Sequence, residues 1–152
     1  MKKPIQITLF AGLALLAVSC CGIKSPENSP LFEKTVDPES GVVSYSLRCG
    51  SPDDNNQSLY FVTKSMTEDG RFLVFQHTQG NERIGVGERH LMLADLKKDK
   101  FFDLGLRKAT PFIECKENYM VYGDPERGFF RRDFSNPEKE VKLCDVPQEL
   151  SS

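Results

Sequence analysis

Short apolar runs alternate with polar turns between Asn55 and Gly105. Leu59-Tyr60-Phe61-Val62, Phe72-Leu73-Val74-Phe75, Leu91-Met92-Leu93-Ala94 and Phe101-Phe102 are each bounded by charged or turn-forming residues. Val, Phe and Tyr suit a pleated, half-buried surface, so the runs predict four strands. Glu68-Asp69-Gly70 is the sharpest punctuation between them, because Gly accepts the positive φ that a tight reversal needs. Four antiparallel strands in about fifty residues is the size of one propeller blade.

The pattern repeats. Three segments share a frame of an Asp, a polar turn and a strand ending in Leu: Asp37 to Leu47, Asp95 to Leu104 and Asp133 to Leu143. Each is expected to be the last hairpin of a blade. Upstream of the second and third, Arg71-Phe72-Leu73-Val74-Phe75 matches Asn118-Tyr119-Met120-Val121-Tyr122. A meander of unrelated hairpins is the alternative. Leu31 to Leu47 gives two short lead-in strands. Arg48 to Gln57 is a polar loop, read either as a channel-facing binding loop or as a plain connection. A second blade is expected from Pro111 to Val146, with strands at Phe112–Lys116, Tyr119–Gly123, Gly128–Phe134 and Glu140–Cys144. Arg127, Arg131 and Arg132 form a basic cluster, read as a solvated face, with a sugar-acid contact as the alternative.

Composition narrows the class. The chain has 152 residues, a net charge of −2 of mixed sign and no Trp, which predicts one modest domain and no nucleic-acid partner. The N-terminus stands apart. Lys2 and Lys3 precede the apolar stretch Ile5–Val18, and Ala17-Val18-Ser19-Cys20 ends it, a pattern similar to a bacterial lipobox. The reading is a signal peptide over 1–19, lipidation at Cys20, a tether over 20–30, a partial propeller domain over 31–147 and a tail over 148–152. A transmembrane anchor from Ile5 to Ile23 is the alternative. Cys21 in place of Asp after the lipidated residue points to the outer membrane. Cys49, Cys115 and Cys144 match no metal or redox spacing, and Cys115 and Cys144 fall on inner and outer strands too far apart to bond. Buried free thiols are expected.

The run Asn55-Asn56-Gln57-Ser58-Leu59-Tyr60-Phe61, followed by Ser65 to Phe75, resembles the first blade of oligogalacturonate lyase-like β-propellers. Met66-Thr67-Glu68-Asp69-Gly70 stands where Tol-B-type (WD40-like) repeats carry Trp-Ser-Pro-Asp-Gly. Asp37-Pro38-Glu39-Ser40-Gly41-Val42-Val43 resembles the lyases' Asp-x-x-Thr-Gly-x-x-Val lead-in. The resemblance covers Thr35 to Val146 and implies an all-β fold: an incomplete propeller of about two four-stranded antiparallel blades plus an N-terminal hairpin. It implies β-elimination on short pectin-derived oligogalacturonates, with a manganese-type divalent metal and cationic groups stabilising the enediolate and a base taking the proton. It places Asn56, Gln57 and Tyr60 on the channel side, where substrate contact is expected.

The chain departs from that family at the metal. Its two histidines, His77 and His90, are not spaced as a ligand pair and are read as packing or surface residues. No catalytic residue carries over and no metal is expected on this chain. Three readings follow: a lyase-like lipoprotein represented by an incomplete chain, inactive alone; a non-catalytic propeller module of the envelope binding a glycan or protein; and a small all-β lipoprotein closed as a sandwich by pairing Leu31–Leu47 with the last blade.

Overall fold

The alternation resolves into strands grouped in three antiparallel sheets. A computed structural model describes residues 22–59, 63–80, 88–106 and 111–146. β1 (Phe32–Val36) and β2 (Val43–Leu47) form a hairpin. β3 (Asn55–Ser58), β4 (Phe72–Thr78), β5 (His90–Asp95) and β6 (Lys100–Leu106) form one four-stranded sheet in chain order. β7 (Phe112–Glu114), β8 (Tyr119–Asp124), β9 (Gly128–Asp133) and β10 (Glu140–Cys144) form the second. The architecture is an incomplete β-propeller: two blades and a leading hairpin, with no sheet closed on itself. The sandwich alternative does not form, because the hairpin pairs only within itself among the described residues.

The three Asp frames are the β1–β2, β5–β6 and β9–β10 hairpins, and chemistry at the first two explains the Asp. Asp37 Oδ1 accepts from the Glu39 and Ser40 amides at 3.0 and 2.7 Å, and Asp95 Oδ1 accepts from those of Lys97 and Lys98 at 3.0 and 3.2 Å. A carboxylate that satisfies turn amides makes a reversal without a tight Gly turn. The β4/β8 match also holds in register: Phe72 lies opposite Asp95, and Tyr119 opposite Asp133. In the turns before these strands Gly70 has φ +70° and Asn118, one position further on in its turn, has φ +57°, the left-handed region that Gly and Asn tolerate.

Period-two alternation gives blade 1 two apolar faces. Phe72, Val74, Leu91, Leu93 and Leu104 face blade 2, where they pack with Ile113, Cys115, Met120 and Phe134. Leu73, Phe75, Met92, Ala94 and Phe101 face the other way, against Leu31, Phe32, Leu47 and Cys49 at the root of the hairpin. One backbone and one side-chain bond lock the first contact: the Glu68 amide donates to the Cys115 carbonyl at 2.9 Å, and Asn118 Nδ2 donates to Asp69 Oδ2 at 3.1 Å. Lys24 and Ser29, inside the segment read as a tether, dock on the β5–β6 turn through Asp99.

Several expectations need correction. Asn55–Gln57 belong to β3 rather than to the preceding loop. Cys115 sits in the turn after β7, which ends at Glu114. Cys49 and Cys115 are buried free thiols, but Cys144 is exposed, because β10 is an outer edge strand whose burial alternation is lost. Cys20 and Tyr60 lie outside the described residues.

Candidate functional site

The end of blade 1 bearing the 48–54 loop gathers polar side chains that are scattered in sequence. Strand register does the gathering: Asn56 lies opposite His77, and His77 opposite His90, so three polar residues share one face across three strands. The two histidines, unrelated by spacing, are therefore direct cross-strand neighbours. Asn56 Nδ2 donates to the carbonyls of Cys49 and Leu47 at 2.9 and 3.3 Å. That leaves Asn56 Oδ1 to accept from His77 Nδ1–H at 2.9 Å, which sets the His77 tautomer. His77 Nε2 then faces Asp54 Oδ2 at 3.7 Å.

Asp54 is the clamp of the loop. It accepts from the Ser51 amide at 2.7 Å and the Gly80 amide at 2.8 Å, tying the loop after β2 to the end of β4. The Gly80 and Ser51 amides hold its carboxyl below the ordinary carboxylate range. Gly50 has φ +81° and its backbone crosses so close to Asp54 and His77 that any Cβ would collide with both. Burial pushes the Cys49 thiol up, with the charges of Asp54 and Asp103 adding to it. His90 Nδ1 pairs with Asp103 Oδ2 at 2.8 Å. With Nδ1–H donated, His90 Nε2 carries a lone pair that can accept a hydrogen bond or a proton. Between this end of the blade and the hairpin lies a cleft of about 910 Å³, bounded by Phe32, Tyr45, Leu47, Asp54, Asn56 and Leu73.

A second cleft, of about 510 Å³, opens between the blades beside Leu104, Met120, Tyr122, Arg132 and Glu140. The arginines expected to form one basic cluster are divided here. Arg131 and Arg132 alternate across β9, Arg131 stacking on Tyr119 and pairing with Asp133 at 2.7 Å, Arg132 pairing with Glu140 at 3.2 Å. Arg127 also pairs with Glu140, and Tyr122 donates its hydroxyl there. Burial opposes ionisation of Glu140, but these donors outweigh it and hold its carboxyl low. The cluster is charge-compensated rather than a bare basic face.

Gln57 lies on β3 opposite Gln76, on the face toward blade 2, and is half-buried. Asn56 is half-buried too, its amide engaged by the loop and by His77.

No family model matches the sequence, and no curated protein matches it. Solved structures do. An oligogalacturonate lyase in complex with manganese aligns with a TM-score of 0.54 at 23% identity, over 78% of this chain and 30% of that one. The likeness is one of fold. An oligogalacturonate lyase from Vibrio parahaemolyticus aligns equally, with a TM-score of 0.54 at 22% identity and the same coverage. The chain thus spans about 30% of the length of these lyases and reproduces an oligogalacturonate lyase-like fold over most of its own residues. Among the described residues no three His, Cys, Asp or Glu side chains converge, and His77 and His90 are each engaged within the blade.

Proposed function

We propose that this chain is a portion of an oligogalacturonate lyase-type propeller that recognises short oligogalacturonates without cleaving them by itself. The fold likeness over 78% of the chain carries the reading. Elimination next to a uronate carboxylate needs a base and a group that neutralises the enediolate. His90, its Nδ1 held by Asp103, is the candidate for the base. Arg127 and Arg132 are paired with Glu140, and Arg131 with Asp133. Asn56, Gln57 and Tyr60 remain the proposed substrate contacts, and the proposed divalent metal is left to the rest of such a propeller. The experiment is incubation of the full chain with digalacturonate and manganese, following absorbance of the unsaturated product, alongside calorimetric titration with trigalacturonate. Heat of binding without product is the expected result. Product formation abolished by His90→Gln would place the elimination base within these residues and overturn the non-catalytic part of the reading.

A second reading, a non-catalytic module of the cell envelope with a glycan or protein partner, is favoured by the engagement of both histidines inside the blade. Either way we propose a lipid anchor at Cys20, holding the chain in the outer membrane. Because Lys24 already docks on blade 1, the free span from Cys20 would be only a few residues long.

A further inference from the structure

The Asp frame occurs three times, and the three turns differ in charge. After Asp37 the turn reads Pro-Glu-Ser-Gly, and after Asp133 it reads Phe-Ser-Asn-Pro-Glu-Lys. After Asp95 it reads Leu-Lys-Lys-Asp-Lys, and Lys97 to Lys100 is the only four-residue stretch of the sequence with three lysines. All three are exposed. The acidic groups of this turn have cations of their own. Asp95 is buried and held by the Arg71 fork, with Lys98 at 3.9 Å as an outer contact. Asp99 pairs with Lys24 and accepts from Ser29 Oγ at 2.8 Å. Lys97, Lys98 and Lys100 therefore give the β5–β6 turn an excess of positive charge.

The segment that leads back to Cys20 docks on this same turn. The Lys24 amide donates to the Leu96 carbonyl at 3.3 Å, beside the Lys24–Asp99 ion pair, and Ser29 adds a second hold on Asp99. From Lys24 back to Cys20 the chain can span at most about 14 Å. Ile23, between them, is exposed. Acyl chains at Cys20 would bring the lysine turn down to the headgroups. An anchor at one point leaves a domain free to tilt, and basic charge close to an anionic surface sets the tilt.

We infer that the β5–β6 turn is a docking surface for anionic phospholipid headgroups, with Lys97, Lys98 and Lys100 as the contacts and Lys24 holding the anchor segment beside them. The inference rests on the anchor proposed at Cys20. Its consequence is an orientation. β5 runs from His90 to Asp95, with His77 opposite His90. The end with the two histidines and the 48–54 loop is thus carried about 17 Å from the turn and faces away from the bilayer.

The test uses the full chain, purified in detergent from membranes of the expressing host and reconstituted on vesicles. Vesicles of phosphatidylcholine alone are compared with vesicles containing about one-third phosphatidylglycerol. A water-soluble amine-acylating reagent is added, and modification of each lysine is read by mass spectrometry. Lys97, Lys98 and Lys100 are expected to react about fivefold more slowly on the anionic vesicles, with the difference lost in high salt. Lys142, 49% exposed on β10, is the control and keeps its rate. Lys97→Glu combined with Lys98→Glu is expected to keep the thermal midpoint and the vesicle-bound fraction of the parent, while Lys100 reacts equally fast on both lipids. The same peptide map reports acyl mass on Cys20. Its absence overturns the anchor and this inference with it. Acyl mass without charge-dependent protection overturns this inference alone. Equal protection of Lys142 also overturns it, because no orientation is then set. So does protection of the same lysines by trigalacturonate without lipid, which would assign the turn to a soluble polyanion.

Discussion

At the scale of single residues, the most consequential charge is Asp95. It has no exposed surface, and it accepts from Arg71 Nε and Nη2 at 3.1 and 2.9 Å as well as from two turn amides. Burial alone would raise its pKa, but the Arg71 fork and the Lys97 and Lys98 amides outweigh it, so the carboxyl titrates below its ordinary value. Asp95→Ala removes the carboxylate while leaving the guanidinium partly buried, and is expected to cost about 3 kcal/mol in urea unfolding. The pH dependence follows in sign. A carboxyl with a lowered folded pKa contributes fully above about pH 4 and loses that contribution as pH falls through the folded value. Acid unfolding of Asp95→Asn should therefore be shallower than that of the parent. The importance of this Asp was legible, since its frame occurs three times in the sequence. The neighbourhood of His77 and His90 was not, because the intervening loop hides a pairing that only strand register reveals. Nor was the splitting of Arg131 from Arg132, which follows once period-two alternation is applied to β9.

At the scale of elements, strand number and order were legible because the apolar runs are short and the turns strongly marked. Boundaries shifted where polar residues enter a sheet, as Asn55–Gln57 do, since backbone pairing rather than side-chain apolarity recruits them. Turn geometry yields a contrast between two glycines. Gly128 has φ +113°, and a Cβ there would run into the Cys144 carbonyl of the neighbouring strand. Gly128→Ala should cost about 2 kcal/mol or more through strain at the β9–β10 edge. Gly70, with φ +70°, meets open space, and the turn before β8 holds an Asn, Asn118, in the same left-handed region. Gly70→Asn should stay within about 1 kcal/mol of the parent. Chemical denaturation of both variants checks the pair, and equal losses would contradict the contrast between the crowded and the open glycine.

At the scale of the whole molecule, the proposed anchor makes a direct prediction. The chain should fractionate with the outer membrane, and Cys20→Ser should release it from that fraction, as immunoblotting of separated membranes would show. The propeller architecture was legible from the repeats; how the hairpin is rooted was not, because Leu31 and Cys49 hold it from outside its own strands. The two faces of each sheet also differ in what they meet. The side bearing Leu73 and Phe75, or Met120 and Tyr122, packs on what comes earlier in the chain. The side bearing Val74 packs on what comes later. A chain emerging N-terminus first would thus find each new sheet's landing surface already made. Assembly could proceed by accretion in the order of synthesis, and the surface awaiting cover at any moment would be only the newest one.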